Sequence, residues 1–348
     1  MAKKVYVGMS GGVDSSVTAA LLLEQGYDVT GVFMKNWAQD LPGFKCPWRE
    51  DLADAKRVAV QLGIPFKVYD FQDQYKQKVV DYMIKGYQAG ITPNPDVMCN
   101  QEVKFKIFLE TALEDGADMI ATGHYAQAKN GELLRAVDDN KDQTYFLYRV
   151  TSDALSKTLF PLGSMTKPEV RKKAEVLGLI TAKKKDSVGI CFVGEIGIKE
   201  FLHNFVTTEP GNIIDQNTQS VIGQHEGALY YTIGQRHGLN VGGGLPYYVT
   251  GKDMQKNEVY VTTDLNDSTL WQKSFRLTSL HWINEGSDVP QQALYVRTRH
   301  RAKLMRCSLQ LEDGAAVVNL EDEIRALTPG QSAVFYTEEA CLGGGVIV

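Results

Sequence analysis

Cysteine is scarce. The chain has five in 348 residues (Cys46, Cys99, Cys191, Cys307 and Cys341), an odd and widely spaced set with no Cys-x-x-Cys pair and no Cys/His cluster at zinc spacing. That pattern argues against a secreted disulfide framework and against a structural zinc site, so no metal centre is expected. Long apolar runs are missing too: no stretch approaches the ~18 residues that span a bilayer. Met1-Ala2-Lys3-Lys4 leads straight into an apolar strand pattern instead of a signal peptide, so the expectation is a cytoplasmic chain with no membrane partner. Neither charge dominates. Lys and Arg number 37 against 42 Asp and Glu, a formal charge of −5, so any RNA must be held by local basic patches within an acidic average. Internal repeats and low-complexity tracts are absent, and the 43% hydrophobic and 23% charged residues exclude a disordered chain.

What is present reads as two or three domains at roughly 100–200 residues each. Val5 to Met9 is a strand pattern, Val13 to Gln25 a helix and Val29 to Met34 a second strand. The alternation continues with helix 51–62, strand 65–69, helices 74–89 and 105–115, and strand 119–122, which predicts a parallel, doubly wound α/β layer over residues 1–200. Helical character returns over 161–179, with Thr166 as N-cap and Gly178 as stop. Beyond about Glu209 the texture changes to short strands such as Val221-Ile222-Gly223 and Tyr230-Tyr231-Thr232. A small mixed or β-rich central domain is expected over 201–272, and a C-terminal β-barrel over 273–348. In the latter, the alternation from Ala293 to Arg301 predicts a strand with Arg297, Arg299, Arg301 and Lys303 on one face, a basic stripe suited to RNA phosphates.

The most specific local signal is Gly8-Met9-Ser10-Gly11-Gly12-Val13-Asp14-Ser15-Ser16, lying between the first strand and the first helix. Glycines there let successive N–H groups approach phosphate oxygens, and the helix N-terminus adds its partial positive charge. No Lys follows the glycines, so this is not a Walker loop, and chemistry other than γ-phosphoryl transfer is expected. A second signal is a pair of thiols in suggestive settings. Cys99 follows Asn94-Pro95-Asp96 where the loop runs into a predicted helix, and Cys191 follows the lysine run 183–185. Helix N-termini and lysines both favour thiolate. Asp96, three residues before Cys99 in an extended Pro-rich loop, can face the same cavity and move a proton.

Ser-Gly-Gly-x-Asp-Ser in this setting resembles the PP-loop of ATP pyrophosphatases, in which ATP phosphates are held and the substrate is adenylated. The resemblance narrows with Phe33-Met34-Lys35-Asn36-Trp37, Thr92 to Asp96 with Cys99-Asn100, Ala121 to Tyr125, Asn140 to Gln143 and Gly189-Ile190-Cys191-Phe192. It extends to Thr232 to Arg236 and Thr328 to Val334. Together these resemble the bacterial tRNA-uridine 2-sulfurtransferases over nearly the whole chain. The resemblance implies ATP, with magnesium, on Gly8 to Ser15 and against Met34 and Gly123. It also implies Cys99 as nucleophile, Cys191 as persulfide carrier and Asp96 as acid/base. RNA contacts are implied at Asn94, Pro95, Asp96, His124, Lys141, Asp142, Gln143, Arg299, His300 and Gln331, with His300 where the family has Tyr. Further implied are a sulfur-donor protein (a cysteine desulfurase or relay carrier), a cellular reductant, the anticodon loop of tRNA as substrate, and a Cys99–Cys191 disulfide formed in turnover at a Cα separation of about 4.4–6.8 Å. The chief alternative is a PP-loop ligase that adenylates a small acid and forms an amide or amidine. A non-catalytic ATP-sensing RNA module and a thiol oxidoreductase complete the alternatives.

Overall fold

The computed structural model describes residues 2–42, 46–186, 197–242, 244–284, 294–312 and 314–348. Cys191 falls outside the described residues, and with it the Cys99–Cys191 separation.

The chain opens with β1 (Lys4–Gly8), α1 (Val13–Glu24), β2 (Asp28–Lys35), α2 (Trp48–Leu62) and β3 (Phe66–Asp70). A helix follows in three joined pieces, Gln72–Tyr75, Lys76–Val80 and Asp81–Gln88, and a second in pieces Pro95–Met98, Cys99–Ile107 and Phe108–Glu114. Then come β4 (Met119–Thr122), a hairpin of β5 (Gln127–Lys129) and β6 (Glu132–Leu134), the short β7 (Thr158–Leu159) and the helix Lys167–Val176. Five of these strands form an all-parallel sheet in the order β3-β2-β1-β4-β7. Side chains alternate across it: Tyr6 joins the core on one face, Val5 and Val7 the core on the other. The sheet is therefore covered by helices on both sides, as the β/α alternation predicts. Strand order reverses at β1, and the crevice beyond that reversal is where such sheets bind ligands.

Local differences have identifiable causes. The helix expected from Phe105 begins at Pro95, because Asn94 caps it by accepting the Val97 N–H and Pro95 fits the first helical position. The helix expected from Pro161 begins only at Lys167, where Glu169 reaches back to the Thr166 N–H in a capping box. Tyr230, expected in a strand, lies in the 3₁₀ turn Ala228–Tyr230.

The central domain contains β8 (Gly211–Asp215), β9 (Val221–His225), β10 (Tyr248–Asp253) and β11 (Glu258–Thr262), ordered β10-β11-β8-β9, with only the β11–β8 pairing parallel. The last domain contains β12 (Trp271–Trp282), β13 (Tyr295–Arg297), β14 (Met305–Glu312), β15 (Ala315–Arg325), β16 (Ser332–Tyr336) and β17 (Ala340–Ile347). Because β12 pairs with both β15 and β17, these six strands close into a barrel and lose their edges. Phe275, Leu277, Val296, Val318 and Phe335 fill it. The β5–β6 hairpin of the first domain adds onto β17, with Leu133 opposite Cys341.

The basic stripe does not form. The strand expected over 293–301 is confined to Tyr295–Arg297, and by Arg301 the backbone is left-handed at φ +63°. Arg297 is buried at 6% exposure, near Asp142 at 3.5 Å, so Arg297, Arg299, Arg301 and Lys303 do not share a strand face. Alternation assigns faces correctly only while the strand lasts.

Barrel and catalytic layer also meet at Gly330, whose φ is +90°; a Cβ there would stand 2.9 Å from Ile91 Cβ and from the Thr92 N and O atoms. Gly330→Ala is expected to cost about 1–3 kcal/mol from the left-handed backbone alone. A lowered thermal midpoint measures it, and an unchanged midpoint would show that the junction yields freely. Among the described residues, no helix is long and apolar enough to cross a membrane.

Candidate active site

The loop from Gly8 to Gly12 leaves the C-terminal end of β1 at the point of strand-order reversal. Its shape depends on missing side chains. A Cβ on Gly8 would press the Met34 methyl at 3.0 Å, and one on Gly11, at φ +75°, would lie 2.3 Å from the Asp51 carbonyl oxygen. Gly12 is the N-cap of α1 and has no side chain to bond the first-turn N–H groups. Those donors point toward the crevice as an anion cradle. Ser15 steadies the bend by accepting the Ser10 N–H at 3.1 Å and donating to the Gly12 carbonyl at 3.2 Å, while Ser16 donates to the same carbonyl at 2.8 Å. Met9 and Val13 are buried beneath the loop and Ser10 is exposed.

Asp14, in the first turn of α1, is gripped from two sides. Lys167 Nζ reaches its two oxygens at 2.7 and 2.8 Å, and the Tyr125 hydroxyl donates to Oδ1 at 2.9 Å. Gln143 holds Tyr125 in turn, its Oε1 accepting the Tyr125 N–H and its own N–H donating to the Tyr125 carbonyl, both at 2.9 Å. Lys167 also meets Asp186 at 2.9 Å, and Asp186 accepts from Lys141 at 2.7 Å and Arg171 at 2.6 Å. Burial works to raise the Asp186 pKa, but its hydrogen bonds with Lys141 and Lys167 outweigh it and bring the carboxyl down to about 2. Sequence reasoning missed Lys167 and Tyr125. A faint signal existed for the first: a lysine at the start of a helix opposes the macrodipole and needs a carboxylate elsewhere.

Gly123 follows β4 and packs on the same turn; a Cβ there would stand 2.9 Å from Asp14 C and Ser15 N. The next residue, His124, is buried between Phe105 and Phe160. Its Nδ1 is 2.8 Å from Thr122 Oγ1, and its Nε2 is 3.4 Å from Lys104 Nζ. Burial, then the Lys104 charge, depress its pKa well below the usual imidazole range, so the ring is neutral. With Nε2 facing an ammonium donor, the proton belongs on Nδ1.

Lys104 carries this contact to the Cys99 helix. Burial raises the Asp96 pKa, and the Lys104 charge opposes that rise. Lys104 makes no ion pair within 4 Å among the described residues, so its charge is available to this corner of the site. Cys99 is buried one turn into the helix, at the start of the wide-turn segment Cys99–Ile107. Such π-helical stretches occur frequently at functional sites. Beside it, the Asn100 amide donates to the Phe146 carbonyl at 3.1 Å, while its buried oxygen has no hydrogen-bond partner among the described residues.

The remaining RNA candidates divide by exposure. Asn94 and Pro95 are buried in the helix cap that presents Asp96. Asp142 is at 1% exposure, accepting from the Ala136 N–H and the Thr144 hydroxyl, so its carboxylate faces inward and does not reach solvent. The Arg299 guanidinium donates to the Ala326 and Ile233 carbonyls and to the Thr328 hydroxyl, joining the barrel to the central domain. His300 packs against Phe146 with ring centroids 4.6 Å apart and planes tilted by 42°; burial and then the neighbouring Arg301 charge lower its pKa to about 4. Among the described residues its Nδ1 has no hydrogen-bond partner. Gln331 directs its amide at the Thr92 and Pro93 carbonyls. Lys141 and Gln143 are half-buried beside Asp186 and Tyr125.

A parallel α/β layer whose glycine-rich loop opens at the switch point, followed by a mixed central sheet and a closed barrel, defines an enzyme of the PP-loop class. Residues 3–195 match the family described as tRNA methyl transferase HUP domain, 199–263 the tRNA methyl transferase PRC-barrel domain, and 272–347 the aminomethyltransferase beta-barrel domain. The chain is 49% identical over 350 residues to the tRNA-specific 2-thiouridylase MnmA of Listeria monocytogenes, covering 99% of this chain and 94% of that one. It is 47% identical, with the same coverage, to the enzyme of that name from Bacillus cytotoxicus. The chain belongs to the tRNA-specific 2-thiouridylase family. Among solved structures, a 4-thiouridine synthetase–RNA complex with bound ATP superposes at a TM-score of 0.39 and 19% identity, covering 58% of this chain and 50% of that one, a likeness too slight to carry an argument. The ligase alternative finds no support in these relatives.

Proposed function

We propose that this chain 2-thiolates the wobble uridine of tRNA, using ATP to activate the C2 oxygen and a cysteine persulfide to replace it. One observation carries the reading: the end of β4 joins the two halves of the chemistry. Gly123 lies against Asp14 and Ser15 of the phosphate loop, and His124 next to it contacts Lys104, whose charge bears on Asp96 in the helix of Cys99. A base flipped into this crevice would meet both the phosphate cradle and the thiol.

ATP binds as its magnesium complex, the ion being part of the substrate, with its phosphates on the first-turn N–H groups of α1 and its adenosine against Met34 and Gly123. The uracil C2 oxygen attacks the α-phosphorus and pyrophosphate leaves, while Asp96 as carboxylate takes the N3 proton. The terminal sulfur of a Cys191 persulfide attacks C2 and AMP departs with the former oxygen. Cys99 thiolate then attacks the Cys191 sulfur, leaving the transferred sulfur on the base and a Cys99–Cys191 disulfide that a cellular reductant opens. A cysteine desulfurase or relay carrier reloads Cys191. His300 and Lys141 serve as RNA contacts, whereas Asp142 acts from beneath the surface. Methyl transfer, named in the family description, has no use for an ATP phosphate loop beside a thiol.

The test incubates the purified chain with ATP, a persulfide donor and unmodified tRNA, and follows pyrophosphate, AMP and 2-thiouridine by mass spectrometry. All three are expected, dependent on tRNA. Pyrophosphate release driven by a small carboxylic acid instead would return the ligase. Within this reading Lys104→Met removes the charge that restrains the Asp96 pKa, so Asp96 should protonate at higher pH. The acid limb of the rate profile should move upward and thiolation near neutrality fall about 10- to 100-fold. Lys104→Arg should restore most of it, and an unshifted profile would separate Lys104 from Asp96.

A further inference from the structure

The loop 91–94, which delivers Asp96 and the helix of Cys99, has little structure of its own. Gly90 before it is left-handed at φ +78°, and Pro93 and Pro95 supply no N–H donors. Its polar groups must therefore find partners outside the loop, and two other domains provide them. From the barrel, the Gln331 amide nitrogen donates to the Thr92 carbonyl at 2.9 Å and the Pro93 carbonyl at 3.3 Å, while the Pro329 carbonyl accepts the Thr92 N–H at 2.9 Å. From the central domain, Thr232 Oγ1 lies 3.2 Å from Thr92 Oγ1. Gln331 is itself fixed, its N–H donating to the Thr328 carbonyl and its carbonyl accepting the Ile347 N–H. An amide nitrogen has two hydrogens, and both are directed at the loop.

We propose that Gln331 is a positioning residue for sulfur transfer: the barrel, through this amide, sets the loop that aims Asp96 and Cys99. The proposal rests on the reading that Asp96 and Cys99 act in the crevice, and it makes barrel docking a condition of their alignment. Misplacing reacting groups by about 1 Å costs up to roughly 100-fold in rate, so the link should be visible in kcat.

The experiment uses the full chain with Gln331→Met, which keeps the shape and removes the donors, Gln331→Glu, which turns an acceptor toward the two carbonyls, and Thr232→Val as an independent release of the same loop. Steady-state thiolation is expected to show kcat down about 10- to 100-fold for the Gln331 variants, with KM for tRNA within twofold of wild type, and a smaller kcat loss for Thr232→Val. Iodoacetamide labelling without RNA, read on the Cys99 peptide by mass spectrometry, should be several-fold faster in all three. A raised KM for tRNA with unchanged kcat would overturn the proposal in favour of direct RNA contact, and so would wild-type labelling of Cys99. If the wild-type chain forms no 2-thiouridine, faster labelling in the variants still supports the link while the functional reading falls.

Discussion

Asp14→Ala is expected to reduce tRNA-dependent pyrophosphate release by about 100- to 1,000-fold, the range seen when a single preorganised electrostatic group is lost from an active site. The reason lies in what the carboxylate organises. It is the common partner of Lys167 and Tyr125, and through Lys167 it is coupled to Asp186 and the cations around it. Removing it leaves the Lys167 ammonium aimed at the first turn of α1 without its partner there, and frees Tyr125 from the loop. Asp14→Asn, which keeps the shape but not the charge, should show most of the loss. A pyrophosphate assay with unmodified tRNA measures both, and near-wild-type release from Asp14→Ala would mean that the cradle works through its backbone alone.

Cys99→Ser and Cys191→Ser are expected to separate the two halves of the reaction. Each should retain pyrophosphate release in a first turnover, because adenylation uses neither thiol, and each should lower 2-thiouridine formation at least about 1,000-fold, since a hydroxyl neither carries nor releases persulfide sulfur. Wild-type turnover mixtures quenched with an alkylating agent should yield a Cys99–Cys191 peptide pair absent from both variants. Full thiolation by Cys99→Ser, or loss of adenylation in Cys191→Ser, would contradict the division of roles.

The parts of the site legible in the sequence are those whose residues are contiguous. Gly8 to Ser16 could be assigned to a strand-to-helix bend because its glycines, serines and flanking periodicity all belong to one short run. The parallel layer followed from β/α alternation for the same reason. Lys167 and Tyr125 were not legible, because they reach Asp14 across 153 and 111 positions; only the folded sheet brings the ends of β1 and β4 side by side. Lys104 was not legible either, since its effect depends on the wide turn of the helix and on His124. The barrel arginines were misjudged for a different reason. Period-two alternation says which residues share a face, yet nothing in Thr298 to Arg301 announces a left-handed residue or tells which face turns inward toward Asp142.

The hairpin β5–β6 completes its sheet against β17, and Arg135, just after it, bonds the Glu338 carbonyl 203 positions downstream. At translation speeds of about 5–20 residues per second, that partner is synthesised roughly 10–40 s after the hairpin. A nascent chain on the ribosome thus holds a phosphate loop but lacks the barrel strand and Gln331. Alignment of the loop that carries Asp96 and Cys99, and sulfur transfer with it, should therefore wait until the barrel strands have been synthesised.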